Sequence, residues 1–332
     1  MATIAVERGA ARSGDRRYVR ATTGPVSSER RVSGSGVRLA VYESGDPART
    51  TIVLVHGFPD TSAVWAPLVA LLDPEFHMVT YDVRGAGGSD APVRRADYAL
   101  PLLVDDLAAV VDAVSPDAPV HLVAHDWGSI QAWEAVTTDR LAGRFATYTS
   151  ISGPPLDHAA LWARRHRSWR HGDLRLALRQ ARHSWYIAYF HLPLFPAFIL
   201  RGKFNQRLWA RVLHRVEGAP TDEGWPAATF GDDFRHGIEL YRANVRPRFR
   251  HPVAGHTETP VQLIVPTKDR YLIPELFDGL EDWTSLLWRR EVDAGHWVAR
   301  TDPTAVAGWV RDAVAYAEDG TESAGLVASR VG

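Results

Sequence analysis

Asp126 stands where an apolar run, His121-Leu122-Val123-Ala124-His125, gives way to the helical pattern Trp127-Gly128-Ser129-Ile130. A strand, a sharp turn and a helix with the acid at the turn make a nucleophile elbow, in which a tight turn lifts one side chain above the edge of a parallel sheet. Such a turn usually carries Ser, and here it carries Asp. A Ser hydroxyl attacking an alkyl carbon leaves an ether, which water at neutral pH does not easily reopen, whereas an attacking carboxylate leaves an ester that water cleaves. The residue type therefore points to displacement at an sp3 carbon, as in an epoxide or a haloalkane, ahead of peptide or ester hydrolysis. The alternative is that Asp126 only caps the helix that follows it.

Cleaving such an ester needs backbone N–H groups for the oxyanion, a base for water and an acid to orient the base. The continuous apolar run Thr51–Val55 has the character of a strand buried on both faces and ends in His56-Gly57-Phe58-Pro59-Asp60. One oxyanion N–H is expected from Phe58 in this loop and one from Trp127, and the aromatic-Pro pair suits a cis bond. A later strand, Val261–Pro266, ends in Thr267-Lys268-Asp269-Arg270, and a last one, Leu286–Val292, ends in Asp293-Ala294-Gly295-His296-Trp297. Nucleophile, acid and His thus follow one another in the α/β-hydrolase order. All three fall at carboxyl ends of expected parallel strands, where such sheets place their sites.

The remaining elements frame these ends. Arg30–Glu43 alternates about Gly34-Ser35-Gly36 as a hairpin, His77–Asp82 and Phe145–Ser152 read as strands, and Ala305–Ala317 reads as a closing helix. Arg84 to Ser89 is dense in glycine but lacks the Gly-Lys-Ser/Thr ending of a phosphate loop. Leu100–Val114 has helical spacing, and its Asp105-Asp106 pair reads as a solvated face. The expected fold class is α/β: a mostly parallel central sheet flanked by helices, built from residues 29–153 and 251–318.

Between them, over residues 154–250, the strand and helix rhythm stops. This stretch is aromatic and basic, with Trp162, Trp169, Trp185, Tyr186, Tyr189, Phe195, Phe198, Trp209 and Tyr241, and it reads as a helical lid over the sheet's mouth. Its Arg164-Arg165-His166-Arg167 run with Arg170 reads as a solvated face. Residues 1–28 are expected to be a flexible arm and residues 319–332 a flexible tail.

With a net charge of −1 the footprint of a nucleic-acid binder is missing. The absence of Cys excludes disulfides, thiolate metal sites and a Cys nucleophile. Met1 to Arg20 lacks an apolar core, so no secretory signal or membrane span is visible, and a cytoplasmic protein without a membrane partner is expected.

From about Arg30 to Ala317 the sequence resembles the epoxide hydrolases of the α/β-hydrolase superfamily. The likeness rests on His56-Gly57-Phe58-Pro59, His125-Asp126-Trp127-Gly128, Lys268-Asp269 and Gly295-His296-Trp297. Tyr186 is similar to the first lid tyrosine of that family and Tyr241, followed by Arg242, to the second; His191 and Leu192 depart from the usual pattern, which leaves Tyr189 as a weaker candidate. The segment also resembles hydrolase portions fused ahead of short-chain dehydrogenases in some bacteria. The resemblance implies that Asp126 opens an epoxide while Tyr186 and Tyr241 protonate its oxygen. His296, oriented by Asp269, then directs water onto the ester, and a vicinal diol leaves without metal or cofactor. Trp185, Tyr189 and Trp297 are the expected substrate contacts, and the aromatic lid suits an apolar or aromatic substrate, with a homodimer contact as a further use of its exposed aromatics. A dehalogenase would use Trp127 as a halide donor but lacks a second donor near Phe58. A binding protein without turnover has no use for an intact Asp126, His296 and Asp269.

Overall fold

In this computed structural model the described residues are 28–167, 173–192, 203–222 and 224–331. The expected N-terminal arm lies outside them but for Ser28, as do Trp169, Arg170, Phe195 and Phe198.

Runs of β-branched and aliphatic residues with no exposed face become the centre of one sheet. Its strands are β1 (Ser28–Ser33), β2 (Arg38–Ser44), β3 (Thr51–Val55), β4 (His77–Tyr81), β5 (Val120–His125), β6 (Phe145–Ile151), β7 (Val261–Pro266), β8 (Leu287–Val292) and β9 (Arg330–Val331). Every residue of β3, β4, β5 and β7 is buried, as parallel strands covered on both faces must be. The order is β1-β2-β4-β3-β5-β6-β7-β8-β9, with β4 to β8 parallel and β1, β2 and β9 antiparallel additions. The strand order reverses at β3, beside β5, where open α/β sheets form their crevice. Register does the rest: Val55 lies opposite Ala124, His125 opposite Ile151, and Pro266 opposite Val292. The loops bearing Phe58, Asp126, Asp269 and His296 therefore leave one edge of the sheet together.

Apolar side chains cover both faces. Leu122, Val53 and Leu263 pack with Trp133 and Leu107 on one side, while Ile52, Leu54 and Val123 meet Trp65, Leu68 and Val310 on the other. A third apolar cluster, including Trp127, Leu156, Phe190, Phe234 and Tyr241, joins the core to the helices of the expected lid. Those helices are Leu156–His166, Leu174–His183, Trp185–Phe190, Lys203–Val212 and the long Phe230–Arg250. Asn244 pins the long helix to the core: its side chain accepts from the Leu100 N–H at 2.9 Å and donates to the Tyr98 carbonyl at 2.9 Å.

Two expectations are corrected. Asp106 is not on a solvated face: its carboxylate takes Arg84 Nε at 2.6 Å and Nη2 at 2.7 Å, with both side chains nearly inaccessible. Arg84 leaves the glycine-dense turn after β4 and points inward, and only a facing acid compensates a buried guanidinium. The tail from residue 319 is not loose either. Ser323 caps a short helix, Ala324–Ala328, Leu326 is fully buried, and Arg330 and Val331 pair with Trp288 and Leu287. The unpaired edge of β8 supplies hydrogen bonds that the tail's own composition does not suggest.

Candidate active site

Asp126 sits at φ 53°, ψ −122°, a left-handed conformation that costs a side-chain-bearing residue about 1–3 kcal/mol. Glycine makes the turn possible. A Cβ on Gly128 would lie 2.2 Å from the Val55 carbonyl, and one on Gly57 would lie 2.4 Å from Asp126 Oδ1. The backbone of the β3 loop thereby closes on the acid.

The two carboxylate oxygens of Asp126 have different surroundings. The Phe58 N–H donates to Oδ1 at 2.7 Å, and the Trp127 N–H also bonds the carboxylate. Oδ2 lies 3.7 Å from His296 Nε2. On its other side the His296 ring meets Asp269 through Nδ1 and Oδ2 at 2.7 Å. Asp269 is held in turn, its Oδ1 accepting the N–H groups of Tyr271 at 2.8 Å and Leu272 at 3.1 Å. The Phe58-Pro59 bond is cis.

Burial sets the electrostatics. Desolvation lifts the Asp126 carboxyl to about 6, against the favourable field of His296 and the two backbone N–H groups. Burial works against the His296 imidazolium, yet Asp269, then Asp126 and Glu217, push it up to about 9. At neutral pH the resting site is an ionised Asp126 beside a protonated His296.

Tyr186 and Tyr241 come together above Asp126, although 55 positions separate them in the sequence. Their rings meet edge to face with centroids 5.9 Å apart, and their hydroxyls interact. Burial, together with the negative charge of Asp126, raises both phenols, so they stay protonated. The Trp127 indole lies edge-on to Tyr241 at 4.8 Å, and its N–H interacts with that hydroxyl. Arg242 explains the arginine after Tyr241: its Nε and Nη2 each donate at 2.7 Å, to the Phe190 and Leu192 carbonyls, tying the short helix that carries Tyr186 to the long one that carries Tyr241.

Two apolar cavities meet at this point. Asp126, Trp185, Tyr186, Tyr241 and Tyr271 line both. The smaller, about 440 Å³, runs between Phe58, Phe190, Trp209, Phe230 and Phe234 and includes Tyr189, His296 and Trp297. The larger, about 640 Å³, is walled by Ile130, Leu156, Trp162, Ile187, Val245 and Leu276. Of the expected substrate contacts, Trp185 is 67% exposed and Trp297 is buried, its indole N–H spent on Asp60 Oδ2 at 2.8 Å.

Three residues escape the sequence reading. Tyr271 packs edge-on against His296 with centroids 4.8 Å apart, and an aromatic two places after Asp269 was a usable signal. Asp60, in the loop after β3, takes the indole N–H groups of Trp225 and Trp297, and burial raises it to about 6. Glu217 accepts the His296 backbone N–H at 3.1 Å from a π-helical turn, Leu213–Glu217, and no local pattern marks it. Among the described residues no group of three or more His, Asp or Glu is arranged to hold a metal.

The decisive comparison covers most of the chain: residues 50–303 match the α/β hydrolase fold family. The chain is an α/β-hydrolase. Among curated relatives of this α/β-hydrolase, a protein named probable oxidoreductase EphD from Mycobacterium tuberculosis is 35% identical over 306 residues, 90% of this chain and 51% of that protein. The chain thus spans about half the length of that relative. An epoxide hydrolase 3 from Xenopus tropicalis is 25% identical over 292 residues, 85% of this chain and 76% of the relative. Among solved structures, an epoxide hydrolase from Bacillus megaterium complexed with its product is similar with a TM-score of 0.71 and 21% identity, over 86% of this chain and 99% of that one.

Proposed function

We propose that this α/β-hydrolase opens an epoxide to a vicinal diol through a covalent ester on Asp126. The observation that carries the reading is the division of labour within one carboxylate. Oδ1 takes the Phe58 N–H, the Trp127 N–H bonds the same carboxylate, and Oδ2 lies beside His296, with two protonated phenols facing the charge. Oδ2 attacks one epoxide carbon, that carbon's bond to the ring oxygen breaks, and the oxygen takes a proton from Tyr186 or Tyr241. An alkoxide is a far stronger base than a departing halide, so a proton donor at this place is worth most to an epoxide. Relatives named epoxide hydrolases support the assignment.

Ester formation erases the Asp126 charge, one of the causes holding His296 up at about 9. The imidazolium then releases its proton more readily, to the tyrosinate left by ring opening, and becomes a base just when one is needed. Neutral His296 takes a proton from water, the water oxygen bonds Cγ of Asp126, and the negative charge gathers on Oδ1 in the cradle of the two N–H groups. Collapse expels the diol, whose oxygen takes the proton from His296, and the carboxyl proton left on Asp126 then passes to His296. One water is consumed, and the resting carboxylate returns.

Two apolar lobes meeting at the nucleophile favour an epoxide with apolar groups on both carbons over a terminal one. The test is the intact mass of His296→Gln after exposure to a disubstituted aryl-alkyl epoxide and, separately, to a bromoalkane. An adduct equal to the whole epoxide on Asp126 is expected. An adduct from the bromoalkane alone shifts the reading to dehalogenation with Trp127 as a halide donor, and none from either leaves a binding role.

A further inference from the structure

The lid carries a charge that the rest of the chain does not. From Arg164 to Arg215 the sequence has twelve Lys and Arg side chains against a single acid, Asp173, in a chain whose net charge is −1. That one acid caps a helix, its side chain accepting the Arg175 N–H at 2.9 Å. Everything outside this segment is therefore strongly acidic in balance, and the positive charge is a property of one region.

Large apolar side chains stand exposed in the same region. Leu174 is 50% exposed, Leu178 61%, Trp185 67%, Leu192 49% and Leu208 44%. In the helix Leu174–His183, Leu174 and Leu178 are one turn apart and Arg175, Arg179 and Arg182 follow the same spacing, while Ala177, Gln180 and Ala181 face the larger cavity. Arg179 pairs with Glu275; for Arg175, Arg182, Arg207 and Arg211 no acidic partner is present among the described residues. A surface of exposed Leu and Trp set among arginines is the composition of an interfacial helix.

We propose that the lid docks this protein on an anionic lipid surface, with the arginines at the headgroups and Leu174, Leu178 and Trp185 entering the interface. Trp185 also lines both cavities, so the docked face would be the one through which an apolar substrate reaches Asp126. A nucleic acid would satisfy the arginines and leave the leucines in water. Two lids placed face to face would repel each other. No helix among the described residues is long and apolar enough to cross a membrane, and a peripheral contact requires none. Such a contact departs from the expectation of no membrane partner.

The experiment is sedimentation of the full chain with vesicles of phosphatidylcholine, with and without phosphatidylglycerol, at low and high salt. Binding is expected only to the anionic vesicles and is lost at high salt. Each cation at such a surface strengthens attachment roughly fivefold, so the Arg175→Gln/Arg182→Gln variant should bind on the order of twentyfold more weakly. Leu174→Ser/Leu178→Ser should also release the protein. These side chains line neither cavity, so both variants should retain wild-type melting and turnover of a water-soluble epoxide. Equal binding to both vesicle types, binding to neither, or full binding by either variant overturns the proposal. So does a lid-dependent dimer seen by light scattering without lipid, or preferred binding of a single-stranded RNA probe that survives the Leu→Ser changes. Vesicle binding is read without substrate, so it stands or falls apart from the chemistry at Asp126.

Discussion

Glu217 Oε2 accepts the backbone N–H of His296 at 3.1 Å, so a carboxylate from the turn Leu213–Glu217 holds the loop that carries His296. The Glu217 side chain is 3% exposed, and its other oxygen faces Arg270 Nε at 3.5 Å. Asp269, Asp126 and Glu217 surround the His296 ring with negative charge, while His125, whose ring N–H donates to the His296 carbonyl at 3.0 Å, opposes a second cation there. Glu217→Gln keeps an acceptor in place and removes the charge. His296 should then titrate below about 9 in an NMR pH series, with no change in fold. Titration at the wild-type position would remove Glu217 from the charge balance.

The pH profile should separate the two chemical steps. Asp126 must be ionised to attack, so the rate of ester formation should rise with pH through about 6 and then level. His296 must be neutral to activate water, so ester hydrolysis should also rise with pH, but through a value below the resting 9 because the ester carries no charge. Single-turnover rates measured across pH would show both limbs. An ester-hydrolysis limb still centred near 9 would mean that Asp126 does not tune His296.

Tyr186 and Tyr241 are expected to act before the ester exists and not after. Tyr186→Phe and Tyr241→Phe should each slow ester formation about a hundredfold, and the double variant should slow it further. Hydrolysis of a preformed ester should be unaffected. Stopped-flow ester build-up followed by quench and mass analysis reads the two rates apart.

Filling the larger cavity should discriminate among substrates. Ala177 lines that lobe and not the smaller one. Ala177→Phe should lower kcat/KM for epoxides with a bulky group on each carbon by roughly tenfold or more, while a terminal aryl epoxide seated in the smaller lobe loses little. Equal losses on both would mean that the two cavities do not hold separate arms of one substrate.

The Arg84–Asp106 pair offers a stability test away from the chemistry. Asp106→Ala would leave a buried guanidinium without its partner, at a cost of about 3–5 kcal/mol. Denaturant unfolding should show the loss in midpoint.

The parts legible in the sequence were those that a short window encodes. Largely apolar runs marked β3, β5 and β7, and the small residues around Asp126 marked the turn, because a strained backbone leaves glycines beside it. Asp269 and His296 could be placed because each ends a strand. What stayed hidden depends on which distant atoms face each other. Asp106 reads as a surface acid until Arg84 is seen to point inward. Glu217 belongs to the site only because Leu213–Glu217 folds over the loop at Gly295, where a Cβ would strike Glu217 Oε2. The tail composition looks loose because what orders it is the edge of β8, more than thirty residues upstream.

That last pairing bears on how the protein could be dissected. With β9 in place, the main-chain groups of Trp288 and Leu287 are matched, and Leu326 covers the apolar surface beside them. Cutting the chain at residue 319 would bare a strand whose free amides and carbonyls are a template for any other extended peptide. The shortened protein should keep Asp126 and the cavities beside it, yet it would become prone to aggregation, and its solubility would depend on two residues of chain far from that site.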